Sequence, residues 1–161
     1  KNWFLEVRYG NKALELAMEA AEVYRSTTKK RYSKLFLDLN SNFKLYTKGK
    51  SEEAILKALT KCRDRKLFEE REINMLGYKY LLEHKKPKIA ETIFKSNTIL
   101  YPNSSNVFDS YAEALMMSGD FESSLKNYQR AVEIATENGD KDLEFYKKNL
   151  ESVKSKLVTK K

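Results

Sequence analysis

The chain is poor in side chains that do covalent or metal chemistry. It holds one cysteine, Cys62, and one histidine, His84. A single thiol excludes an internal disulfide framework. One thiol and one imidazole fall short of an all-protein zinc site and give little basis for a Cys–His catalytic pair. His84 stands beside Lys85 and Lys86 at a predicted helix end, which places it in solvent. Cys62 reads as a small helical filler. The acid pairs Glu52-Glu53 and Glu69-Glu70 fall at predicted helix starts, where negative charge complements the helix dipole. A glycine-rich phosphate loop, a GxSxG elbow, an HExxH pair and a CxxC pair are all missing from the sequence. The expectation is a protein that is not an enzyme and needs no cofactor and no metal.

What remains to be positioned is a surface, and the elements that would carry it are helices. Two prolines and five glycines in 161 residues favour long helices over many strands. No apolar run approaches the ~18 residues of a membrane span. The chain opens at Lys1 without an initiator methionine, so a fragment or a processed product is expected. The formal charge of +8 is uneven. Residues 1–50 hold eleven Lys and Arg against five Asp and Glu, a balance of +6, whereas residues 101–161 hold nine against ten. The basic half would favour an acidic partner, a phosphate backbone or an anionic surface, or simply a solvated lysine-rich exterior.

The stretch from Asn74 to Ala135 repeats itself. Leu76, Gly77 and Tyr80 are followed by Ala90, Phe94 and Pro102. Tyr111, Ala112 and Leu115 are followed by Ser124, Tyr128 and Ala131. Ala90 and Ser124 are 34 positions apart, as are Phe94 and Tyr128. Gly77 and Ala112 fit a close helix crossing, Ala90 and Ser124 are the reciprocal small residues, and Phe94 and Tyr128 fill the space between neighbouring pairs. Gly119-Asp120 reads as a turn, with a left-handed glycine and an aspartate cap. A serine near the start of 105–118 is expected to cap that helix. Gly77 to Ala90 spans one residue more than Ala112 to Ser124, and the extra residue is expected in the Lys85-Lys86-Pro87 turn.

This pattern resembles the tetratricopeptide repeat, TPR, in which helical hairpins of about 34 residues stack into a right-handed superhelix. The resemblance implies an all-α fold of about seven or eight helices, closed by a C-terminal capping helix. Residues 69–139 make two repeats, with helices predicted at 69–83, 87–101, 105–118 and 121–138. Residues 140–161 make a solvating cap with Leu143, Tyr146, Leu150, Val153 and Leu157 on its inner stripe. Residues 1–68 form N-terminal helices, at 12–26, 32–46 and 51–65, that continue the array as degenerate repeats or make a small helical subdomain. Trp3 would cap the first pair.

The same resemblance implies a concave groove lined by the first helix of each pair. Arg71, Asn74, Tyr78 and Leu81 would face it from one repeat, and Asn106, Asp109, Ser110, Glu113 and Met117 from the next. TPR proteins that clamp acidic tails use lysines, arginine and asparagines there. Asp109 and Glu113 depart from that pattern. Tyr78, Met116 and Met117 suit an extended or helical peptide better, so the expected role is a scaffold for a protein or peptide partner. The run from Tyr80 to Ile134 also resembles the repeat tail of bacterial secreted or periplasmic serine hydrolases, which implies an accessory domain whose catalytic part lies elsewhere. The expected location is cytoplasmic or, if that likeness holds, periplasmic or secreted. A third reading, single-stranded nucleic acid bound by the basic first half near Tyr9, Tyr24, Tyr32 and Tyr46, is disfavoured because those aromatics fall at core-like spacing.

Overall fold

Charge and turn chemistry delimit the helices. The structure, a computed structural model, describes residues 52–159. Helix α1, Glu52–Asp64, opens on Glu52 and Glu53 and closes on Lys61 and Arg63, each sign at the end of the dipole that favours it. Helix α2, Glu70–Tyr78, starts where the Glu69 amide donates to Glu72 Oε2 at 3.1 Å. It runs on into a π-helical turn, Lys79–Glu83. Helix α3, Pro87–Leu100, opens on a proline that has no amide to leave unpaired. Helix α4 spans Ser105–Met117 and α5 spans Phe121–Asn138. Asp120 Oδ1 accepts the Ser123 amide at 3.1 Å and so caps α5, while Gly139 ends it at φ 63°. Helix α6 is Leu143–Thr159.

The described residues are all-α, with six helices and no strand. α2 pairs with α3 and α4 with α5, and α3 packs on α4, so each hairpin leans on the next. α1 leans on α3, and α6 packs on α5 and touches α4. The helices expected before residue 51, the seat of Trp3 and the degenerate repeats lie outside the described residues.

Three clusters fill the array. Ile55 and Leu59 of α1 meet Ile73 and Leu76 of α2 and Ile89 and Ile93 of α3. Phe94 joins Leu81 and Ala90 to Ala114 of the following pair, and Tyr78 meets its ring edge-on at 5.0 Å. Tyr128 has the same role in the next repeat, between Ala112 and Val153 of α6. The small residues sit where space is short. A Cβ on Gly77 would stand 2.6 Å from Phe94 Cε1, and Ser124 Oγ donates to the Ala112 carbonyl at 2.7 Å.

The extra residue of the first repeat is not in the turn. Lys85, at φ 51°, takes the left-handed position that Gly119 takes at φ 85°, and the two stand 34 apart in the chain. The turns therefore match residue for residue. The surplus is absorbed inside the helix, where the His84 amide reaches back five residues to the Lys79 carbonyl at 3.1 Å. Such a π-bulge accepts one residue at the cost of poorer hydrogen-bond geometry. The serine cap of α4 is also corrected. Ser104 holds the cap position but makes no side-chain cap bond, and Ser105 Oγ donates instead to Asp140 Oδ2 at 2.6 Å. That engagement keeps Asp140 ahead of α6, which starts at Leu143 rather than at residue 140.

Candidate functional site

Stacking the hairpins sets α2 beside α4 and α4 beside α6. A run of polar contacts crosses these seams. Asn106 Nδ2 donates to Glu70 Oε1 at 3.1 Å. One turn further along, Asn74 Nδ2 donates to Ser110 Oγ at 2.9 Å. Beyond that, the Tyr78 hydroxyl donates to Glu113 Oε2 at 2.6 Å, with Ser110 Oγ 3.2 Å away. The second seam is closed by Asn149 Nδ2, which donates to Asp109 Oδ1 at 2.9 Å, and by the Ser105–Asp140 bond.

These contacts sort the residues expected on the groove. Asp109 and Ser110 are 6% and 2% exposed, held in the seams. Asn74, Tyr78 and Glu113 are half-buried. Arg71, Asn106 and Met117 are exposed. Leu81 departs from the expectation: it is buried in the Phe94 cluster. Met116 packs half-buried against the Tyr128 cluster, whereas Met117 is 54% exposed. The period of the sequence reveals neither Glu70 nor Asn149 as partners, because each bond reaches between repeats.

The electrostatics are those of an anionic seam. Burial, and next the Glu113 carboxylate, raise the Tyr78 phenol above its ordinary value. Burial, with Asp109 and Glu113 behind it, does the same to Tyr128. Burial also pushes the Asp109 carboxyl from 3.8 up to about 6, Glu113 adding to the rise and Asn149 opposing it. The arrangement can accept a positive charge and can hydrogen-bond. Among the described residues no group of three or more His, Cys, Asp or Glu could hold a metal ion.

His84 is less exposed than expected. It lies half-buried with its ring centroid 5.0 Å from that of Tyr80, and burial, then Lys79, lower its pKa. Cys62 is buried in the first cluster as the filler reading expects, and burial pushes its thiol up to about 11. Tyr9, Tyr24, Tyr32 and Tyr46, named for the nucleic-acid reading, lie outside the described residues. Among the described residues no helix is long and apolar enough to cross a membrane.

No protein-family model matches the chain, and no curated protein does. Among solved structures, the crystal structure of PcrH from Pseudomonas aeruginosa matches with a TM-score of 0.50 and 20% identity, over 75% of this chain and 92% of PcrH. That likeness is one of fold, and it shows a TPR-like helical repeat array. The resemblance of the run from Tyr80 to Ile134 to hydrolase tails rests on that run alone.

Proposed function

We propose that the chain is a TPR-like interaction scaffold, not an enzyme, and that it holds a peptide or an extended segment of a partner protein across α2, α4 and α6. The observation that carries this is the polar seam. It fixes the three helices against one another through paired side chains, and it leaves Arg71, Asn106 and Met117 exposed and Tyr78 and Glu113 half-exposed on one run of the array. A face whose rotamers are already tied loses less entropy when a ligand orders on it. The PcrH likeness supports a helical-repeat scaffold, and the two carboxylates of α4 argue against a clamp for acidic tails.

The test is selection from a display library of random short peptides on the full chain, followed by photo-crosslinking. A photoreactive residue at position 117 should capture the selected peptides, and one at position 126, on the exposed side of α5, should not. Equal capture at both positions, or turnover of an ester, peptide or phosphate substrate that one point change abolishes, would overturn the reading.

A further inference from the structure

We infer that the segment held on this face carries a lysine or arginine, and that Glu113 receives it; the inference rests on the scaffold reading above. Asp109 and Glu113 stand four residues apart on α4, one helical turn, where two like charges repel. Among the described residues neither forms an ion pair, although pairs such as Lys95–Glu52 and Arg130–Glu133 occur elsewhere in the array. Among the described residues the groups that bond the two carboxylates or sense their charge are Tyr78 of α2, Tyr128 of α5, and Tyr146 and Asn149 of α6. These are phenols and an amide, with no cation among them. The described residues thus set two carboxylates, neither in an ion pair among them, in the seam that borders the exposed face.

The geometry divides their roles. Asp109 is buried, so it contributes field rather than contact. Glu113 is half-buried, with Oε2 committed to the Tyr78 hydroxyl. Among the described residues its Oε1 makes no hydrogen bond, which leaves it able to accept an ammonium or guanidinium donor. Met117 lies one turn beyond and is 54% exposed, an apolar surface for the methylene stem that carries such a charge. A cation here relieves the repulsion between the carboxylates. An acidic segment would add a third negative charge to the same field, and like-charge juxtaposition of that kind selects against a partner.

The peptides selected on the full chain provide the test. They should share a lysine or arginine. Replacing that residue with glutamine should weaken binding about tenfold on the unaltered protein but less than about twofold on Glu113→Gln, read by fluorescence anisotropy. The substituted amide keeps an acceptor for Tyr78, so thermal melts should match. A second measurement needs no variant: affinity should fall as salt rises from about 50 to about 500 mM. Peptides that crosslink at position 117 yet lack a basic residue, or that ignore both Glu113→Gln and salt, would overturn this inference and leave the scaffold standing. Absence of any peptide captured at position 117 would overturn both.

Discussion

Replacing Asp109 with asparagine should make the protein more stable near neutral pH, and the gain should vanish in acid. The carboxyl is buried between α4 and α6, with its pKa raised from 3.8 to about 6 by burial first and Glu113 second. A rise of roughly two units corresponds to about 3 kcal/mol of penalty on the charged form. The sign follows from proton binding. The folded state holds this proton more tightly than the unfolded chain, so between about pH 4 and pH 6 folding takes up protons and stability falls as pH rises. Above pH 6 the full penalty stands; below the unfolded value it is gone. Asparagine keeps an acceptor for Asn149 Nδ2 and removes the charge. Its new amide N–H groups enter a buried seam, and leaving one unpaired offsets about 1–2 kcal/mol. The net gain near pH 7.5 should therefore be about 1–2 kcal/mol. Urea unfolding of both proteins across a pH series reads the difference between them, in which the titrations they share cancel. The reasoning is refuted if that difference is flat from pH 4 to pH 8, or if it grows in acid.

Four further outcomes are expected. Gly77→Ala should lose up to about 2 kcal/mol, because the Cβ clash with the boxed Phe94 ring, about 1–3 kcal/mol, outweighs the roughly 1 kcal/mol of helix propensity gained; equal or greater stability in urea would contradict it. Ala112→Leu should cost ~1–3 kcal/mol against the Ser124 crossing, while Lys126→Ala on exposed surface changes stability by less than about 0.5 kcal/mol; the reverse order would undo the repeat register. Tyr78→Phe should cost about 1–2 kcal/mol, and combining it with Glu113→Ala, which removes the acceptor, should cost less than the sum, since both changes break one tie. The Cys62 thiol, buried and raised to about 11, should react with a thiol reagent near neutral pH only as fast as the fold opens; rapid labelling of native protein would place it at the surface.

The parts of this fold that were legible are those fixed by residues near in sequence. Phe121–Asn138 starts and stops where Asp120 and Gly139 say it should, because both caps act within one turn. Pro87 marked the start of α3 for the same reason. The π-turn was not legible: Leu76, Tyr80 and Leu81 keep an apolar face whether the surplus residue sits in the helix or after it. Lys85 hid the turn, since a non-glycine residue with positive φ carries no sign of it in composition. On the candidate face, the family resemblance put Asn74, Tyr78, Ser110 and Glu113 on first helices, where they bond one another. It did not show that Asp109 and Ser110 would be consumed in seams, because that depends on how one hairpin is set against the next. A serine near the start of α4 looked like a cap, but Ser105 became a strut to Asp140, a choice made by a partner 35 residues away.

The reach of the seam bonds has a mechanical consequence. The ties between first helices run 32 to 40 residues along the chain, about one repeat and no further. No strut among them fastens α2 directly to α6. Pulled from its two ends, the array of described residues has no seam tie that spans all of it, and neighbour-only coupling lets each hairpin yield once its outer neighbour has gone. The extension trace should then be a staircase, with each step releasing about one repeat of chain. A two-dimensional sheet stapled from first strand to last would instead give way in one rip.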